Sequence, residues 1–386
     1  MRKILSLLLC VLMCCFLLAS CAEEEIGADL KGYLEKYTPE KREDIVLDFY
    51  IITGDGTNKH AIDTVSREIN AYLESKYQTT LDIHFITEAE YNATVIADAA
   101  AEGEARADIV FVNGIDMFNT LRQSGSLVSL NDHFISKDFG RLNSSDMIAT
   151  ALLQASTVID GEGEDAVVNR YVVPNNRPVG SYNYIMVHRA MAQFLNYSTE
   201  GEGNSVSQMT SADAPLYIAL KSDLVTYDAE LRAAGFDPDK CIIHLNGASY
   251  LDRNSLGDEY ECVISATPVI TAEEAHEASF AVIKQDGKDE SVNNHQYYRC
   301  MEIIYCLNTD ATLRNLLLYG VENTHYSVDD NGVVSKIDTE NVYEMSILHT
   351  GNFFTASYND FAGSESWTQA LSDAGKLQNK ESVRAD

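Results

Sequence analysis

Positive charge is scarce in this chain: 28 Lys and Arg stand against 59 Asp and Glu, a formal net charge of −31. Such a surface repels polyanions, whose phosphates need clustered Lys and Arg, so nucleic acid is excluded as a partner. A soluble protein with a neutral or cationic ligand fits better. Tryptophan is reduced to Trp367 alone. Beyond the first 20 residues no run of 18 apolar residues occurs, so nothing in the body reads as a spanning helix. Catalytic motifs are broken. His276-Glu277 lacks the second histidine of HExxH, Gly247-Ala248-Ser249-Tyr250-Leu251 lacks the closing glycine of GxSxG, and Gly54-Asp55-Gly56 has neither a third glycine nor a Walker lysine. There is no CxxC, and the acidic run 160–165 misses calcium-loop spacing and reads as a solvated hairpin tip. The expectation is no metal, no nucleotide, no cofactor and no enzyme. Paired-carboxylate glycosidase chemistry stays open, because 59 acidic residues permit any pairing.

What is present starts at the N-terminus. Arg2 and Lys3 precede an uncharged apolar stretch, 4–17, too short to span a bilayer permanently. Leu18-Ala19-Ser20-Cys21 follows and resembles the bacterial lipobox, whose cysteine receives a diacylglycerol. Residues 1–20 are then a signal peptide, Cys21 the lipidation site, and 21–44 the lipidated N-terminus and tether. The implied location is the outer face of the bacterial cytoplasmic membrane. Two lipid signals together hold a protein stably there. Of eight cysteines, Cys241, Cys262, Cys300 and Cys306 remain in the body, with three possible pairings. Cys300 and Cys306 sit about 240° apart on one predicted helix, which disfavours a mutual bridge. Buried thiols are expected.

From residue 45 the pattern alternates between strand and helix. An apolar run at 45–52 suits a buried parallel strand. Ile62, Val65, Ile69 and Leu73 recur at helical spacing, and Leu81, Ile83 and Phe85 alternate. A helix at 89–102, a strand at 109–112 and a helix at 115–124 complete a βαβαβ start, which implies helices on both faces of a parallel sheet. Further strands are read at 171–173, 182–187 and 261–266. A surface loop is read at 198–214, a helix at 214–234, and a hairpin turn at 329–332. Two consecutive helices fill 295–320, with Asn308-Thr309-Asp310 as the cap between them and Gly320 as the stop.

Several phrases resemble bacterial extracellular solute-binding lipoproteins of ABC importers. Ala107-Asp108-Ile109-Val110-Phe111-Val112-Asn113 and Gln123-Ser124-Gly125-Ser126-Leu127-Val128 are similar to that family's third strand and following loop. Tyr171-Val172-Val173-Pro174 with Tyr182-Asn183-Tyr184 is similar to its first crossing between lobes. Met301 to Gly320 and His349-Thr350-Gly351-Asn352-Phe353-Phe354 are similar to segments of sugar-receptor subgroups. The resemblance covers nearly the whole chain after Cys21, although relatives of this kind continue past the segment matching 367–379. It implies an α/β, two-lobe type II periplasmic-binding-protein fold, each lobe a mostly parallel sheet flanked by helices and joined by a hinge. Lobe one would be 45–176 plus 268–322, and lobe two 178–265 plus 325–386. The ligand would bind between them, at the carboxyl ends of the strands.

That topology nominates Asp55 and Asn58 after the first strand, and Asn113 and Asp116 after the third. Their side chains can exchange hydrogen bonds with sugar hydroxyls. Asp55, Asn58 and Asp116 also suit turns or helix N-caps. Arg177 falls in the first crossing. Tyr182 and Tyr184 share one face of the next strand, as stacking rings or as core. Tyr326 and Asn352 come from late loops that relatives turn toward ligand. The implied protein is a monomeric receptor that captures a small solute, a carbohydrate first of all, and hands it to an ABC permease. A lipoprotein enzyme of glycosidase type and a receptor feeding a membrane sensor are the alternatives, and a peptide or other solute stays open.

Overall fold

The computed structural model describes residues 43–355, apart from 102–106, 145–146, 178, 181, 200–203, 249–255, 266–268 and 331–333, together with 384–385. The expected signal peptide, Cys21, the expected tether to residue 42, and Trp367 lie outside the described residues. No described helix is long and apolar enough to cross a membrane.

Strand β1 (Ile45–Thr53) pairs in parallel with β2 (Thr79–Thr87) and β3 (Ile109–Val112). Helices α1 (Lys59–Tyr77) and α2 (Glu88–Ala99) make the crossovers, and α3 (Ile115–Gln123) follows β3. Parallel strands require such crossovers because the chain must return to the end at which the first strand began. Ala61, Val65, Ile69, Leu73 and Tyr77 form the buried stripe of α1, at the spacing one helical face demands. Two later strands complete this sheet in the order β2-β1-β3-β8-β4. They are β4 (Val172–Pro174) and β8 (Ser279–Val282), and β8 runs antiparallel to both β3 and β4.

A second sheet is built on β5 (Tyr182–His188), flanked by β6 (Ile242–Ala248) and β7 (Tyr260–Ile264). Both pairings are antiparallel, so this sheet departs from the mostly parallel expectation. After β5 the chain re-enters the sheet at the end where β5 finishes, with Val187 opposite Ile242, so β6 runs back along it. The single helix expected at 214–234 is two helices, Pro215–Thr226 and Asp228–Ala233. They part at Tyr227, whose backbone (φ −107°, ψ 22°) is not helical. The expected loop at 198–214 is pinned to the core by Val206 and Met209, both fully buried.

Between the sheets' segments, Ala272–Glu277 forms α4, while α5 (His295–Thr309) and α6 (Ala311–Tyr319) are the expected helix pair. Asp310 caps α6 through the N–H groups of Thr312 and Leu313, as the sequence indicated. Cys241, Cys300 and Cys306 are buried thiols, and burial pushes the Cys241 pKa up to about 11.

A late segment that the sequence reading put in lobe two packs on the first core. Tyr343 belongs to the first core and its hydroxyl donates to Leu317 O at 2.7 Å. Arg314 is fully buried on α6 and donates to Ile347 O (2.7 Å), to Thr350 Oγ1 and to Asn352 O (3.3 Å). A buried guanidinium must find acceptors, and this late segment supplies them. Gly351 allows the approach: at φ +116° a Cβ there would lie 2.2 Å from Leu307 O. Residues 343–353 therefore pack on the first unit.

His133 is wholly buried, and neither ring nitrogen has a hydrogen-bond partner among the described residues. Burial pushes its pKa down to about 4, partly opposed by Asp132. The unfolded chain, with an ordinary imidazole near pH 6.5, takes up the proton first. His133 stability is thus full above about pH 6.5 and lost as pH falls toward about 4, by up to about 3 kcal/mol. Asp108 acts in the opposite sense, its burial raising the carboxyl to about 6. The His133 contribution is therefore read as a difference between proteins. Urea melts from pH 7 to 4 should show a shallower acid loss for His133→Phe than for wild type, and parallel curves would refute the assignment.

Candidate ligand site

After Val112 the chain turns through Asn113 and Gly114 into α3. Gly114 adopts φ +95°, a left-handed conformation that favours glycine, and its N–H donates to His276 O at 2.9 Å. That bond sets the N-terminus of α3 against α4. Between them opens a cavity of about 380 Å³, whose wall includes Asn92, Asn113, Asp116, Glu273, Glu274 and Glu277. It lies at the carboxyl end of β3, where open α/β sheets place their ligands, and at the positive end of the α3 dipole.

The carboxylates are not equivalent. Glu274 closes a capping box with Thr271 at the start of α4, and its Oε1 accepts from Gly180 N–H at 3.2 Å. Glu277 takes a hydrogen bond from Arg177 at 2.7 Å, while the same Arg177 nitrogen donates to Glu274 O at 2.6 Å. The Arg177 side chain is buried, whereas that of Glu277 is 61 % exposed. Burial lowers the guanidinium pKa and the two glutamates oppose it. Asp116 and Glu273 are exposed at the cavity. Asn92 donates to Asn113 O at 3.4 Å, and its own Oδ1 is buried without a hydrogen-bond partner among the described residues. His276 stacks on Phe118 with centroids 3.9 Å apart and its Nδ1 bonds Ala272 O at 2.7 Å. Burial lowers its pKa, so it is a neutral packing group. The wall is rich in amide and carboxylate oxygens, suited to accepting hydrogen bonds from hydroxyl groups or from an ammonium.

The predicted residues divide. Asn113 and Asp116 line this cavity, and Arg177 holds one of its walls. Asp55 is exposed in the loop after β1. Asn58 is the N-cap of α1, accepting from Ala61 N–H at 2.9 Å and donating to Glu340 O at 2.6 Å. Tyr326 faces a separate cavity of about 330 Å³, with Tyr319, His325, Lys336 and Tyr343. Asn352 is buried inside the first unit, donating to Met147 O and Asn308 O at 3.4 and 3.3 Å. Tyr182 and Tyr184 are fully buried and stack on each other, centroids 5.5 Å apart and 10° from parallel. They pack with Met186 on one face of β5, while Ile185 and Val187 fill the other. Both faces are covered, so the rings are core and not a platform in the crevice. Sequence reading passed over Asn92, Glu273, Glu274 and Glu277. Thr271-Ala272-Glu273-Glu274 carried the signal, a capping box that fixes where α4 starts.

No family model and no curated protein matches this chain. Among solved structures, it resembles the N-glycan transport solute-binding protein NgtS from Streptococcus pneumoniae. Identity is 16 % and the TM-score 0.50, over 88 % of this chain and 83 % of that one. The same protein in complex with Man5GlcNAc matches at 17 % identity and TM-score 0.49, with the same coverage. The fold defined here is the two-lobe periplasmic-binding-protein fold, with helices flanking a sheet that contains parallel strands.

These placements give a direct test. Tyr182→Ala should lower unfolding stability by roughly 3–5 kcal/mol, the cost of emptying an aromatic from a core. Asn113→Ala, at the rim of a cavity, should change it by about 0.5 kcal/mol or less. Denaturant melts of the ligand-free proteins decide, and equal losses would contradict both placements.

Proposed function

We propose that this chain is an extracellular solute receptor, anchored to the membrane through Cys21, that presents a carbohydrate to an ABC permease. The observation that carries this reading is the polar cavity at the carboxyl end of β3, set in a two-lobe binding-protein fold. The likeness to NgtS, whose name states N-glycan transport, supports an oligosaccharide as the solute. Asn113 and Asn92 offer amides, and Asp116 and Glu273 offer carboxylates, to hydroxyl groups that need both donors and acceptors.

Binding works by closure of one lobe on the other. Contacts made by both lobes exist only in the closed form, so the solute favours that form by its difference in affinity. Converting a mostly open population to a mostly closed one takes about 5.5 kcal/mol of such difference. The permease then reads the closed shape. Because Arg177 joins the first crossing to α4, a solute that draws on Glu277 acts directly on the segment between the lobes.

A thermal-shift panel of monosaccharides, oligosaccharides of mannose and N-acetylglucosamine, and short peptides tests the solute class, since a ligand of the folded state raises the melting temperature. At least one saccharide should shift it, and be recovered intact. A panel in which only peptides do so would remove the carbohydrate reading, and a cleaved saccharide would make the chain an enzyme. For the saccharide found, Asn113→Ala should cost about 0.5–1.5 kcal/mol of binding by calorimetry, the net contribution of one hydrogen bond. The anchor is tested separately: Cys21→Ser should abolish incorporation of labelled fatty acid, and label persisting on the variant would rule out lipidation there.

A further inference from the structure

On the first sheet, parallel pairing of β1 with β2 sets Asp48 opposite Asp82 and Tyr50 opposite His84. Alternate residues of a strand share a face, so these four side chains stand on one face of the sheet at its β2 edge. His84 Nε2 lies 3.0 Å from Asp48 Oδ1 and 3.8 Å from Asp82 Oδ2, and one ligand atom from each residue lies within 4.8 Å of the others. The cluster shares no residue with the cavity at the carboxyl end of β3.

We propose that Asp48, Asp82 and His84 bind a divalent transition-metal ion, with Zn²⁺ as the representative case. Two carboxylates converge on one imidazole nitrogen, which has a single proton to share. The Asp48 oxygen at 3.0 Å takes that position, and Asp82 at 3.8 Å is left beyond hydrogen-bond range. A dication between the three groups serves both carboxylates at once. Donors about 2.0–2.2 Å from one zinc ion stand about 3.3–3.6 Å apart in tetrahedral geometry, between the two separations seen here. The remaining adjustment falls on Asp82, whose side chain is 68 % exposed and so has room to move. His84 is packed by the Tyr50 ring, with centroids 4.2 Å apart, and the β1 backbone at Asp48 is fixed by its N–H bond to Asp108 Oδ2 at 3.0 Å. Mixed imidazole and carboxylate donors favour zinc and its neighbours over calcium or magnesium. No sequence motif announces the site, because residues 48 and 82–84 meet only through the strand register.

The experiment titrates the tag-free, EDTA-dialysed protein with Zn²⁺ by calorimetry and with Co²⁺ by visible absorption, in excess Mg²⁺ to suppress diffuse binding to carboxylates. One saturable Zn²⁺ site per chain, a ligand-field band with Co²⁺ and a higher melting temperature are expected. His84→Phe keeps a ring against Tyr50 and removes the nitrogen, and Asp82→Asn removes a charged donor. Each should weaken Zn²⁺ binding about tenfold or more, since loss of even an outer-shell partner costs about 10–100-fold. Asp116→Asn, in the distant cavity, should leave it unchanged. Absence of saturable binding would overturn the proposal, and so would equal affinity in the His84→Phe and Asp82→Asn variants that melt as wild type does. If both variants unfold, Asp48→Asn is titrated in their place, and unaltered affinity there overturns it equally.

Discussion

A buried positive charge in the segment between β4 and β5 constrains much of what surrounds it. Arg177 is only 6 % exposed, and a guanidinium taken out of water costs several kcal/mol unless its donors are satisfied. Its acceptors include Glu274 O and Glu277 Oε2, both on α4. Helix α4 must therefore lie against that segment, and its own start is fixed by the Thr271–Glu274 capping box. The Gly114 N–H bond to His276 O then brings the α3 N-terminus to the same helix. The cavity is the space these obligations leave between α3 and α4. Removal of the Arg177 charge would loosen that segment and the cavity wall together.

Acidity in this cavity has a structural origin. Glu274 and Glu277 are committed to the helix start, Gly180 N–H and Arg177, so part of their charge is already balanced. Asp116 and Glu273 are exposed and face the ligand space beside the positive end of α3. On the proposed reading this arrangement suits a polyol, since its hydroxyl protons meet carboxylate oxygens and its oxygens meet amide donors. A phosphate-bearing solute would meet carboxylates at close range and be disfavoured by like-charge repulsion.

The sequence made the first half of the fold legible because periodicity there is strong and local. The alternation of β1, α1, β2, α2 and β3 follows from apolar spacing alone, and Asn113 follows from its position after the third strand. Tyr182 and Tyr184 were ambiguous for a physical reason. Alternation puts them on one face of β5, but whether that face meets solvent or packing depends on distant segments. Asn58 shows the same ambiguity resolved toward the helix cap. The glutamates of α4 escaped notice because their relation to Asn113 is made by tertiary contact between residues about 160 positions apart in the chain. The Asp48, Asp82 and His84 cluster was invisible for a related reason: a strand register, and not a spacing, creates it.

Arg314 explains why the chain's late course could not be read from order along the sequence. A charged residue on α6 at a position that becomes fully buried must recruit oxygen atoms, and the acceptors nearest in sequence are already bonded within helices. The segment 347–352 provides them through two carbonyls and a hydroxyl. Docking that segment also places Asn352 over Asn308 and Glu344 over Gly54, whose N–H donates to Glu344 O at 2.8 Å. The loop after β1, which the topology nominated for ligand contact, is thereby partly occupied by the chain itself. This is why Asn58 is spent on capping α1 and on Glu340 O.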